Sequence, residues 1–332
     1  MKIRLYRFFI PFVILCTTEG TLFGQSDPKW DNTTDHHWPK ACQKIAIEST
    51  IDGKKEPAYF YKSKAKNRSL IVSLHTWSGG YDQKDTLSWQ CISRDYNYIH
   101  PNFRGVNNHP DACGSQLAIQ DIEDAISYAI ANGNVDMDEI HVIGASGGGY
   151  ATLYTYMNTK HKVKTFSAWV PISDIEKWYY ESLGRSNKYA RHMALATTGK
   201  TFTEKDDLFI SEPEARKRSP YFMTTPVAQR RNSKLTIYAG VHDGYTGSVP
   251  ITQSLDFYNK LIGDFEKGND DYAIPEKDIR ELVTSRYFRN SEMKKIGDRI
   301  IYYSKNYKDL VEIVIFEGGH EMLSEVALDH VK

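Results

Sequence analysis

Apolar runs of strand length alternate with amphipathic stretches along most of this chain. Residues 45–48 and 58–61 read as two extended segments separated by the turn signal Asp52-Gly53. Strand-like runs follow at 70–75 and 96–101, then an amphipathic helix over 116–131 and a buried strand at 139–143. Further strands are predicted at 163–171, 235–240 and 312–316. Such alternation predicts an α/β fold with a mostly parallel central sheet and helices on both faces. Two segments interrupt the alternation, 174–230 and 264–305. Both read as insertions roofing a site, and neither carries enough periodic apolar residues to bury a core of its own.

The amino terminus is patterned differently. Lys2, Arg4 and Arg7 precede an apolar run from Phe8 to Cys16, then small and polar residues to Gly24-Gln25. This is the pattern of a secretory signal peptide, with cleavage expected after Gly24 and a secreted or periplasmic product. The run is too short to span a bilayer. Lipidation at Cys16 requires a small preceding residue, and Leu15 is not one. Residues 25–332 then form one domain. It carries no apolar run long enough for stable membrane insertion.

Charge and cysteines narrow the partners. Lys and Arg total 42 against 42 Asp and Glu, so no basic excess points to nucleic acid. Past the leader the cysteines are Cys42, Cys91 and Cys113. Three thiols permit at most one internal bridge; Cys91 with Cys113 is the preferred pair, and three free thiols is the alternative. Their spacing fits no zinc motif, and no histidine spacing suggests a metal site.

Chemistry concentrates at Gly144-Ala145-Ser146-Gly147-Gly148, between the strand at 139–143 and a helix opening at Gly149. A serine on a tight strand-to-helix turn, crowded by small residues, is a nucleophile elbow. Its hydroxyl needs a general base, and the base an orienting acceptor. His320 ends a glycine-rich loop just past the last predicted strand, and Asp243 follows the strand at 235–240. Both lie at carboxyl ends of strands, where crevices form in open α/β sheets. The order Ser146, Asp243, His320 is the chain order of the α/β-hydrolase triad. The backbone N–H of Gly147 should face the oxyanion. A second donor is expected from His75-Thr76-Trp77-Ser78-Gly79-Gly80, at Trp77 or, as the alternative, Thr76. His242 reads as a loop residue, and His100 and His141 as structural. Neither metal nor organic cofactor is needed.

These segments, with Pro101-Asn102-Phe103-Arg104-Gly105 and Cys113-Gly114-Ser115, resemble the α/β-hydrolase superfamily. Within it the chain is similar to secreted, prolyl-oligopeptidase-like esterases of polysaccharide-degrading bacteria. It looks most like the α/β-hydrolase-type pectin methylesterases. That resemblance implies the triad Ser146, Asp243 and His320, acyl-enzyme chemistry and a polysaccharide or oligosaccharide ester substrate. Thr76 stands where many relatives have glycine. The short stretch before the first strand leaves too little chain for the extra domain of a peptidase of this type.

For a methyl-esterified uronate polymer, Trp178-Tyr179-Tyr180 with Trp77 would supply an aromatic platform. Arg104, or Arg185, Lys188 and Arg191, would grip neighbouring carboxylates. The leading expectation is pectin methyl ester hydrolysis. The alternatives are carbohydrate deacetylation, peptide cleavage, and a catalytically silent binding protein.

Overall fold

A computed structural model describes residues 32–203, 207–268 and 271–331. The expected leader, residues 1–24, lies outside the described residues. Among the described residues ten strands form one sheet: β1 Gln43–Glu48, β2 Lys55–Tyr61, β3 Arg68–Leu74, β4 Asn97–Pro101, β5 Val135–Ala145, β6 Thr165–Trp169, β7 Lys234–Gly240, β8 Lys295–Ile296, β9 Arg299–Tyr307 and β10 Val311–Phe316. Their spatial order is β1-β2-β4-β3-β5-β6-β7-β10-β9-β8. The block from β4 to β10 is parallel; β1 and β2 on one edge and β9 and β8 on the other are antiparallel. The fold is that of an α/β hydrolase.

Among the described residues nine α-helices surround the sheet: α1 Leu87–Ser93, α2 Gln116–Asn132, α3 Gly147–Asn158, α4 Ile175–Gly184, α5 Tyr189–Thr198, α6 Glu212–Lys217, α7 Val227–Arg230, α8 Thr252–Phe265 and α9 Glu276–Ser285. The start of α2 follows from its cap, where Ser115 Oγ accepts a hydrogen bond from Ala118 N at 3.0 Å. Its buried stripe, Ile119, Ile122, Ala125, Ile126 and Ala129, recurs at helical spacing.

The central strands are apolar on both sides, as a parallel sheet covered twice requires. Leu70, Val72, Ile140 and Val142 pack with α2, α3 and α8, while Ile71, Ile143 and Trp169 pack with α1 and the carboxyl-terminal segment around Leu323 and Leu328.

Two expectations are corrected. Residues 264–305 do more than cover the fold, because β9 within them adds to the sheet beside β10. Its sequence mixes Arg, Lys and Ser with apolar residues, which suits an edge with one wetter face and hides it from a search for apolar runs. All three cysteines are free and buried, with Cys91 beside Cys42 in one apolar cluster and Cys113 in another. A Cys91–Cys113 bridge would have to cross between those clusters.

The segment 174–230 folds into α4 to α7. Ile175, Trp178, Tyr179, Met193 and Ala194 form a cluster with Trp77, Tyr150 and Val249 of the main body. The insertion thus buries its apolar surface against the loops at the carboxyl end of the sheet. No helix among the described residues is long and apolar enough to cross a membrane.

Candidate active site

The turn between β5 and α3 holds Ser146 at φ 57° and ψ −117°, outside the ordinary regions for a residue with a side chain. Neighbouring structure must maintain such strain. It does so by hydrogen bonds from Ser146 N to Trp169 O at 2.9 Å and from Tyr150 N to Ser146 O at 2.8 Å. Only 4 % of Ser146 is exposed.

His320 stands on the loop after β10, with Nε2 2.8 Å from Ser146 Oγ and Nδ1 2.7 Å from Asp243 Oδ2. An ionised carboxylate only accepts hydrogen bonds, so Asp243 holds the proton on Nδ1 and leaves Nε2 to accept from the serine hydroxyl. Asp243 is itself buried in the loop after β7. Its Oδ1 accepts from Gly244 N at 2.8 Å and Val249 N at 3.1 Å. Three residues from three strand ends thus form one hydrogen-bonded series ending on the serine.

Two backbone amides meet beside Ser146. Gly147 is the first residue of α3, so its N–H has no carbonyl four residues back within the helix. A Cβ on Gly147 would stand 2.2 Å from Trp77 N, which puts that glycine directly against the Trp77 amide. The alternative donor is already engaged: Thr76 N donates to Gln83 Oε1 at 3.3 Å.

The structure brings Ser146, Asp243, His320, Gly147 and Trp77 together. It does not bring Arg104 or Trp178 to an open surface. Arg104 is 5 % exposed and forms an ion pair with Asp121 (Nε to Oδ2, 2.6 Å), with further bonds to Asp52 and Ser49. Asp52 and Asp121 keep its guanidinium protonated, and Arg104 in return holds the Asp52 carboxyl well below its usual range. With its fork engaged by Asp121, Asp52 and Ser49 and its side chain only 2 % exposed, it does not reach a surface where it could meet a substrate carboxylate. Trp178 is 1 % exposed, with its ring 4.8 Å from that of Trp77 and Nε1 donating to Ser248 O at 2.9 Å. It braces the Trp77 loop and the Asp243 loop and offers no open face.

Of the three candidate cations in the insertion, Arg185 and Arg191 are engaged with backbone carbonyls, while Lys188 stays exposed. Arg185 donates to Gly244 O, Gly247 O and Ser248 O at 3.0 to 3.3 Å, so it clamps the loop that carries Asp243. Arg191 donates to Phe202 O, and Lys188 lies 5.4 Å from the centre of the Tyr189 ring. Sequence reasoning missed Gln83. Its only signal was a polar residue a few positions after the His75–Gly80 loop.

Among the described residues no group of three or more His, Cys, Asp or Glu is arranged to hold a metal ion. Fold and site define an α/β-hydrolase-type serine hydrolase. The profile of the prolyl oligopeptidase family matches residues 85–275, more than half of the chain, and the chain belongs to that family. The match contains Ser146 and Asp243 and ends before His320.

Similar solved structures include an acylaminoacyl peptidase from Pyrococcus horikoshii, 20% identical with a TM-score of 0.48, over 67% of this chain and 35% of that one. A puromycin-hydrolyzing peptidase from Mycobacterium tuberculosis is 17% identical with a TM-score of 0.51, over 68% of this chain and 35% of that one. Prolyl oligopeptidase B from Galerina marginata is 14% identical with a TM-score of 0.50, over 68% of this chain and 32% of that one. The aligned region is about a third of each of those longer chains, and the likeness concerns the fold. No curated protein matches the chain.

Proposed function

We propose that this chain is an exported serine hydrolase that cleaves peptide-type acyl bonds through an acyl-enzyme on Ser146. The observation that carries the reading is the series Asp243–His320–Ser146, with contacts of 2.7 and 2.8 Å, beside the amides of Trp77 and Gly147. In the first step Ser146 Oγ attacks the carbonyl carbon while His320 Nε2 takes its proton and Asp243 stabilises the imidazolium. The carbonyl oxygen becomes an oxyanion facing Trp77 N–H and Gly147 N–H. Collapse expels the amine, which leaves with the proton from His320. A water deprotonated by His320 then attacks the acyl-serine, releasing the acid and restoring Ser146.

Membership of the prolyl oligopeptidase family favours an amide bond, and the solved neighbours are named as peptidases. The pectin methyl ester expectation came from the resemblance to pectin methylesterases, and of the substrate contacts offered for it Arg104 and Trp178 are buried in other contacts. It therefore enters as the competing arm of the test, with sugar deacetylation beside it. Export rests on the basic and apolar leader ending at Gly24.

The test is to incubate the purified protein with a panel of peptide p-nitroanilides, methyl-esterified pectin and acetylated xylan, measuring amines, methanol and acetate. Amine release lost in Ser146→Ala supports the proposal. Methanol or acetate without amine release replaces it with an esterase.

A further inference from the structure

The Thr76–Trp77 peptide decides where one of the two oxyanion donors points. Its carbonyl, Thr76 O, accepts from Gly79 N at 3.2 Å and from His75 Nδ1 at 3.0 Å. In a trans peptide the N–H points opposite to the C=O, so holding Thr76 O also aims Trp77 N–H. On the other side of Thr76, the amide and the hydroxyl both donate to Gln83 Oε1, at 3.3 and 2.9 Å. Gln83 is 2 % exposed, and its backbone N–H donates to Gly80 O at 3.1 Å. The turn is wrapped around this carboxamide so closely that a Cβ on Gly79 would stand 1.9 Å from Gln83 Oε1.

His75 is suited to the same task. Burial holds its pKa down to about 3, so the ring is neutral and can keep its proton on Nδ1 for Thr76 O. Its ring stacks on Phe103 at 3.8 Å and 5°, which fixes its orientation.

We propose that Gln83 and His75 are positioning residues for the oxyanion hole, Gln83 holding Thr76 by its N–H and hydroxyl and His75 holding the Thr76 carbonyl, so that Trp77 N–H faces the reacting carbonyl. Neither touches substrate. The inference rests on the reading of Ser146 as nucleophile and Trp77 N–H as oxyanion donor, and it adds the side chains that hold that donor. A misaimed donor costs little in the ground state and most where negative charge develops on the oxygen.

The experiment uses Gln83→Met and His75→Phe, which keep bulk and lose the acceptor or the donor, together with Gly79→Ala, which displaces the carboxamide from the opposite side. For each, kcat and KM are measured on the best ester or anilide of the panel. Inhibition by a peptidyl trifluoromethyl ketone is compared with binding of the matching methyl ketone. The expected result is a tenfold or greater fall in kcat with KM within about twofold. Trifluoromethyl ketone affinity should fall in step with kcat while methyl ketone affinity holds.

Wild-type kcat in the variants, or parallel loss of both ketones, overturns the inference. Failure of all three variants to fold, judged by thermal unfolding, also overturns it by making the clamp a folding element. If the wild-type protein neither turns over the panel nor is inhibited by the trifluoromethyl ketone, the reading of Ser146 has failed instead.

Discussion

Gly147 and Trp77 lie in contact through their backbones, with space for no side-chain atom between them: a Cβ on Gly147 would stand 2.2 Å from Trp77 N. That closeness puts two N–H groups from distant loops on one side of Ser146. Gly147→Ala must push the Trp77 amide away. We expect kcat to fall on the order of 10²–10³-fold, the usual cost of an oxyanion donor. Steady-state kinetics with far-UV circular dichroism as the folding control checks this. A variant that folds and keeps full kcat would remove Trp77 from the site.

Asp243→Asn keeps an oxygen to accept from Gly244 N and Val249 N, so the loop should stay in place. The amide instead donates toward His320 Nδ1 and favours the tautomer with the proton on Nε2, which cannot take the proton of Ser146. A fall in kcat of roughly 10⁴-fold is expected at neutral pH, with little change in thermal midpoint. Retention of more than a tenth of the activity would contradict the orienting role.

Arg104→Ala should act on stability and not on substrate affinity. It strands the Asp121 carboxylate, whose pKa burial already raises, among Ser49 and Glu56. Breaking one side of a buried ion pair costs about 3–5 kcal/mol. Urea unfolding should show that loss while KM stays near the wild-type value. A raised KM at unchanged stability would restore Arg104 as a substrate contact.

Three buried histidines, His75, His100 and His141, make stability depend on pH, because burial lowers the pKa of each. Burial lowers the pKa of His75 to about 3 and that of His141 to about 4, from an ordinary value of 6.5. Between those values and 6.5 the unfolded chain binds protons that the folded chain refuses, so stability is full above 6.5 and declines as the pH falls toward 4. The slope is at most about 1.4 kcal/mol per pH unit for each group. The urea midpoint at pH 5 should be lower than at pH 7, and His141→Asn should flatten the difference. Equal midpoints in the wild type would refute the neutral buried state.

Much of the scaffold was legible because its signals are local. The run at 139–143 followed by Gly144-Ala145-Ser146-Gly147-Gly148 announces a strand, a forced turn and a helix within a dozen residues. The buried stripe of α2 is visible for the same reason, since helical periodicity needs only neighbours along the chain. What stayed hidden depends on partners far away in sequence. Arg104 looks like any loop arginine until the fold sets it beside Asp52 and Asp121. Trp178 looks like an open platform until Trp77 and the 243–249 loop close over it. Gln83 has no periodicity or motif to mark it, only a turn folded around its carboxamide.

By itself, then, the amino-acid sequence determined the α/β class, the elbow that strains Ser146, and strand ends at which Asp243 and His320 would emerge. Those follow from side-chain size, backbone freedom and apolar period, which act over a few residues. Only the tertiary structure decided that His320 reaches Ser146 across 174 positions at 2.8 Å. It alone settled as well that Thr76 turns its amide to Gln83, leaving Trp77 against Gly147. A contact between distant residues depends on how every layer between them packs, and no local pattern carries that information.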